Sequence, residues 1–207
     1  MEGGKSNAIP FTCFAVVKPD TYEVEILQEQ YKSQTGIFDK HCENVLVYSN
    51  KEACELLGLK SDPTCPLKDS STFMDESMDF GKVEIYNTAM NTPFFMKVWE
   101  HLLETELFDG HGLVIKADMD TVWAPWRLHT VLQADNLQCK DSPMSPHYEV
   151  AEEKAFYVAS APGKGCPMPG PLEMWSYGAM RAFKAGMGKC QNERAGWITR
   201  FSEDTFL

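Results

Sequence analysis

Long hydrophobic runs are missing from this 207-residue chain. No stretch approaches the ~20 consecutive apolar residues that a membrane-spanning helix needs. The opening Met1-Glu-Gly-Gly-Lys-Ser-Asn7 carries no apolar signal-peptide core. Positive charge is scarce: 19 Lys and Arg stand against 30 Asp and Glu, a net charge of −11. That balance argues against a nucleic-acid partner, because such affinity comes largely from Lys and Arg on phosphates. A small phosphorylated ligand remains admissible if a divalent cation offsets the charge. CxxC pairs are absent, and no Cys/His spacing suits a structural zinc site. A phosphate loop is absent too. Ala161–Gly170 sets Lys164 between glycines, but GxxxxGK[ST] needs a helix directly after its Lys, and Pro167, Pro169 and Pro171 remove backbone donors there.

What is present fits one globular domain, with 43% hydrophobic and 24% charged residues. Seven cysteines (Cys13, Cys42, Cys54, Cys65, Cys139, Cys166 and Cys190) permit disulfides and an oxidising compartment. An odd number leaves at least one thiol unpaired within the chain. Cys166–Cys190 is the first pairing expected and Cys13–Cys42 the second, although spacing alone does not fix connectivity.

Residues 1–10 read as a flexible lead-in, and 11–207 as a single α/β domain. Phe11–Val17 is apolar, β-branched and aromatic, a first strand, and Pro19-Asp20 is a turn signal. Val24, Ile26, Leu27 and Tyr31 predict a helix from about Tyr22 to Tyr31, closed by Gly36. Asn44–Tyr48 is a second strand, so the opening is a βαβ unit with a parallel pair. Glu52–Leu59 suits a short helix, Ser61–Gly81 a long loop and Lys82–Tyr86 a short strand. Thr92 and Pro93 serve as N-cap and first residue of a helix with Phe95, Val98, Trp99, Leu102 and Leu103 on one face, which is core packing; His101 beside it is structural or exposed. A further helix starts at Pro125, residues 135–148 form a loop, Ala155–Ala159 a strand and Met174–Ala185 a helix.

The chemistry concentrates where Leu113-Val-Ile-Lys-Ala117, a short buried strand, runs into Asp118-Met-Asp120. Alternation places both carboxylates on one side with Met119 opposite. At the carboxyl end of a strand in an open α/β sheet they point into the crevice where ligands bind. Two hard oxygen donors suit Mg²⁺ or Mn²⁺, which are held by one or two carboxylates plus substrate phosphates. Trp123, Trp126 and Trp175 can stack on a sugar or base, though core packing is the simpler account of each.

In order along the chain stand Cys13-Phe-Ala-Val16, Val47-Tyr-Ser-Asn50, Asn91-Thr92 with Phe95 and Val98-Trp99, and Asp118, Asp120, Val122, Pro125 and Arg127-Leu128. Gly170-Pro-Leu-Glu173 with Ser176, and Glu203-Asp204 with Phe206, complete the series. This ordered set, spanning positions 13 to 206, resembles a glycosyltransferase-like family abundant in dinoflagellate-type algae. The resemblance implies a Rossmann-like GT-A-type fold with a mostly parallel central sheet, acting on a nucleotide sugar and a hydroxyl acceptor with Mn²⁺ or Mg²⁺. By that resemblance Asp118 and Asp120 hold the metal and sugar nucleotide, Glu173 lies near the donor sugar, and one of Glu203 and Asp204 is the acceptor base. GT-A-type enzymes commonly add a metal-binding His beyond that acidic pair, a position this sequence does not reach; separately, Glu203-Asp-Thr-Phe-Leu207 reads as the start of a helix, so the natural chain is expected to continue. Position 123 is Trp where many relatives carry Phe. The Golgi or secretory lumen is the compartment of a typical glycosyltransferase.

Two other readings fit the same residues. Asp118-Met-Asp-Thr-Val122 matches DxDx[TV] of haloacid-dehalogenase-type phosphatases, with Asp118 as nucleophile, Asp120 as acid/base, and Lys154, Lys164 or Lys184 as the required lysine. Alternatively, the domain is a non-catalytic glycosyltransferase-like subunit of a larger assembly, membrane-associated or photosynthetic, in an organelle.

Overall fold

The computed structural model describes residues 10–67, 72–74, 78–79, 82–83, 88–89, 91–109, 112–133, 138–139, 142–143, 155, 157–159 and 172–198. Ten strands and five α-helices are formed among the described residues. Phe11–Val16 (β1) leads through Tyr22–Ser33 (α1) to Cys42–Ser49 (β2) and the short Ala53–Leu56 (α2). Two-residue strands follow at Thr72–Phe73 (β3), Lys82–Val83 (β4) and Thr88–Ala89 (β5). Thr92–Thr105 (α3), Leu113–Ala117 (β6) and Pro125–Gln133 (α4) come next. After the small pair Gln138–Cys139 (β7) and Ser142–Pro143 (β8) come Tyr157–Ala159 (β9), Leu172–Ser176 (β10) and Tyr177–Ile198 (α5).

The main sheet has the order β3-β2-β1-β6-β10-β9. Its four longer strands, β2-β1-β6-β10, form a mixed, mostly parallel core: β1 runs parallel to β2 and to β6, and β10 is antiparallel to β6. The fold is α/β, with helices on both faces. The alternation of β1 divides its side chains between two apolar layers. Phe11, Cys13, Ala15 and Val17 join Leu27 of α1, Ala53 and Leu56 of α2, and Ile115 of β6. Phe14 joins Val98, Trp99 and Leu102 of α3, Val114 of β6 and Met180 of α5. A strand covered on both faces needs a nearly continuous apolar run, which is why β1 and β6 are apolar apart from Thr12 and Lys116. At roughly 25 cal/mol per Å² of apolar surface removed from water, each fully buried Phe, Leu or Val contributes about 1.5–3 kcal/mol.

Local chemistry sets the helix ends. Thr21 caps α1, its side-chain oxygen accepting the Glu23 N–H (3.4 Å), and the helix stops at Gln34 in the left-handed region. Gly36 has φ +56°, and a Cβ there would collide with the Gln30 carboxamide. The N-cap of α3 is Asn91 rather than Thr92, which is already helical; Pro93 keeps its place in the first turn. The larger departure from expectation lies at 172–176. Leu, Glu and Met favour helix, yet this segment is strand β10, and the helix begins only at Tyr177 and runs to Ile198. Pairing with β6 along its whole length overrides local propensity.

Two disulfides are formed among the described residues. Cys13–Cys42 ties β1 to the start of β2 (Cα–Cα 5.5 Å), as expected, while Cys54–Cys65 closes an 11-residue separation after α2 and was not foreseen. Cys166 and the side chain of Cys190 lie outside the described residues. No helix of the described residues is long and apolar enough to cross a membrane.

Candidate functional site

Strand order reverses between β1 and β6: the chain passes from β1 through α1 to β2 on one side, and β6 is added on the other. Such a switch point opens a crevice at the carboxyl ends of the strands. Here the start of α1, after the turn that follows β1, meets the segment after β6, Asp118-Met-Asp120, through the Tyr22–Asp120 hydrogen bond.

Strand pairing ends at Ala117, and a turn closed by Thr121 N–H to the Asp118 carbonyl (2.9 Å) carries the chain onward. Alternation therefore places Asp118 on the same strand face as Lys116, but the turn, not the strand, places Asp120. Met119 between them is buried in the layer with α1, and its carbonyl accepts from Gln30 Nε2 (3.3 Å). Gln30 also receives the Ile37 N–H (3.3 Å), so one amide joins α1, the Gly36 turn and the carboxylate segment.

Asp118 is 42% exposed, and Asp120 is exposed and accepts the Tyr22 hydroxyl (3.2 Å) across the crevice. The Asp120 charge, reinforced by that hydrogen bond, pushes the Tyr22 phenol upward. Glu23 next to it is also pushed up, chiefly by burial, although it accepts the Lys18 N–H (2.6 Å). Beside the crevice a groove of about 540 Å³ is lined by Asp20, Tyr22, Glu25, Gln28, Lys51 and Glu55, among others; the Lys51 ammonium reaches both Asp20 oxygens at 3.0 Å.

Glu173 of β10 stands in register with Lys116 of β6. Both are buried, at 1% and 2% exposure, and Lys116 Nζ lies 2.8 Å from Glu173 Oε1. The same ammonium is 4.0 Å from Asp118 Oδ1 and 4.3 Å from the Phe95 ring centroid. Lys116 thus joins Asp118 to Glu173, with the aromatic face adding a cation–π contact. Asp118 and the buried Glu173 share Lys116, whereas Asp120 is bonded to Tyr22; Glu203 and Asp204 lie outside the described residues. Lys116, Tyr22 and Gln30 were not singled out from the sequence. For Lys116 the available signal was a lysine inside a wholly apolar strand, where a charge needs a partner.

Two carboxylates at the mouth of a crevice fit a hard divalent cation that arrives with phosphate oxygens and water. Among the described residues no group of three or more His, Cys, Asp or Glu is arranged to hold a metal by itself. Of the lysines considered for phosphatase chemistry, Lys184 is bound to Glu106 (2.6 Å), and Lys154 and Lys164 lie outside the described residues. The tryptophans separate clearly: Trp175 packs on Trp99 and Phe183, Trp123 packs against the α1-side core, and Trp126 is 50% exposed with Arg127 over its ring. Comparison with known protein families, with characterised proteins and with solved structures returned no match.

Proposed function

We propose that this chain is a Rossmann-like GT-A-type domain that transfers a glycosyl group from a nucleotide sugar to a hydroxyl acceptor with a divalent metal. One observation carries the reading: Asp118 and Asp120 stand at the carboxyl end of β6, at the point where the strand order reverses. Asp118 and Asp120 would hold the cation together with the donor diphosphate. A divalent ion there stabilises the leaving diphosphate as a Lewis acid. Tyr22 orients Asp120 through its hydroxyl, and Gln30 fixes the peptide between the two carboxylates. Removal of the acceptor proton is assigned to the Glu203–Asp204 pair, on the resemblance alone.

The test is calorimetric titration of UDP and GDP with and without Mn²⁺, on the wild type and on Asp118→Ala/Asp120→Ala. Mn²⁺-dependent binding that the double variant loses supports the reading. A folded wild type that binds neither nucleotide at millimolar concentration overturns it. A non-catalytic subunit is the second reading, and one observation favours it: Val122 is fully exposed and Trp126 half exposed beside the carboxylates, apolar surface that a partner chain would cover.

A further inference from the structure

Helix α4 follows the carboxylate segment after four residues, and few of its described side chains face the body. Pro125 is buried, Leu128 packs against the α1-side layer and His129 is half-buried, whereas Trp126, Arg127 and Thr130 are exposed. His129 meets the Phe11 ring edge-on at 6.1 Å between centroids, and the His41 ring at 5.0 Å. His41 is itself held in place. Asp39 Oδ1 accepts its backbone N–H (3.0 Å) and lies 2.6 Å from its Nδ1. A carboxylate can only accept, so Nδ1 carries the proton there and a second proton on the ring goes to Nε2. Two imidazoles, the side chain whose charge ordinarily changes between pH 5 and 8, thus join α4 to the start of β2.

We infer that the His41–His129 contact is an acid-sensitive latch on α4: the helix stays seated while His129 is neutral and loosens when both rings carry protons. The inference does not depend on the metal or sugar-transfer reading. The groups around His129 set the sign. The segment before β2 brings His41, with Asp39 laid against it; β1 brings the uncharged Phe11; on α4 itself, Arg127 lies over the Trp126 ring. Burial opposes a proton on the seated His129, and the His41 charge opposes it further. A like charge about 5 Å away, in partly screened surroundings, disfavours the second proton by about tenfold or more. Once α4 lifts, the His129 ring regains water and takes its proton at the ordinary value of 6.5. The seated form is therefore fully favoured above pH 6.5 and loses ground as pH falls below it. The loosened segment carries Trp126 and adjoins Val122, so acid frees the exposed apolar surface beside the carboxylates.

The experiment is amide hydrogen exchange read by mass spectrometry at pH 7.5 and 5.5, corrected for the intrinsic pH dependence of exchange. Its samples are the wild type, His129→Gln and His41→Gln, with peptides from α4 compared against peptides from α1. In the wild type, α4 protection should fall roughly fivefold between the two pH values while α1 holds. His129→Gln, which cannot take the proton, should remove the fall. His41→Gln should shrink it, because the repelling charge is gone. Equal α4 protection at both pH values in the wild type overturns the inference. So does a fall that α1 shares in full, which would mean global destabilisation rather than a latch. An undiminished fall in His129→Gln would place the proton elsewhere, and one in His41→Gln would leave burial alone to account for it; either overturns the paired latch. Should His129→Gln fail to fold, His41→Gln against the wild type decides alone.

Discussion

The two halves of the sheet are built on different principles. Between β2, β1 and β6 the strands are parallel, the core is apolar on both faces, and Cys13–Cys42 fastens the first two strands. Between β6 and β10 the strands are antiparallel, and the register places Lys116 opposite Glu173 inside the sheet. The first half holds together by burial and a covalent tie. The second spends interior volume on charge, at the one strand shared by both halves and directly before the two carboxylates. The difference sets an apolar, covalently tied scaffold beside a charged seam that lies directly before Asp118 and Asp120.

Replacing Lys116 by Met alone should break the seam most severely. It leaves Glu173 buried without its ammonium, a change that in other proteins costs about 3–5 kcal/mol. Lys116→Met/Glu173→Leu should recover most of that loss, since no charge is then stranded. Chemical denaturation of the two variants side by side checks this. If the single variant matches wild type, the pair contributes nothing and the contrast between the halves collapses.

The scaffold half was legible in the sequence because its physics is local. Phe11–Val17 and Leu113–Ala117 are apolar runs, and runs of that kind are buried strands whatever surrounds them. Asp118 and Asp120 stood out by their spacing, but the alternation expected to align them ends with the strand at Ala117. The position of β10 was not, because Leu172-Glu-Met-Trp-Ser176 has helix-forming residues and becomes strand only through β6, 57 residues away at the Lys116–Glu173 rung. Tyr22 was hidden for the same reason: its hydroxyl meets Asp120 across 98 residues of chain. Cys54–Cys65 was missed because seven cysteines admit many pairings and nothing in the spacing favours this one.

The covalent tie should come next in size. Cys13→Ala/Cys42→Ala removes a cross-link spanning 29 residues, for which about 2–4 kcal/mol is typical. Cys54→Ala/Cys65→Ala spans 11 and should lose less, because a shorter loop constrains the unfolded chain less. Denaturation midpoints of the two double variants rank them. The reverse order would mean that the segment after α2, and not the parallel pair, is where the fold is held.

The smallest effect concerns protons, and it too divides the molecule. His101, hydrogen-bonded to Tyr48, and His129, beside Phe11 and the His41 ring, belong to the parallel half. Burial holds both below the ordinary imidazole value of 6.5; the His41 charge lowers His129 further, whereas Glu104 opposes the shift at His101. Below pH 6.5 the unfolded chain takes up these protons more readily than the folded one. The stability that the neutral rings contribute is therefore fully present above 6.5 and is lost as pH falls through their folded values. Glu23 at the crevice acts with the opposite sign. Its folded value lies above the ordinary 4.5, so the folded chain is protonated first and gains as pH falls through that value. Between pH 7.5 and 5.5 the histidines should dominate, giving a modest decline in denaturation midpoint that His101→Gln/His129→Gln flattens. Glu23→Gln should leave the decline in place and remove only the partial recovery nearer the carboxylate range. A decline that persists in the histidine variant would place the proton-sensitive groups in the charged half, and the apolar half would then be insensitive to pH in this window.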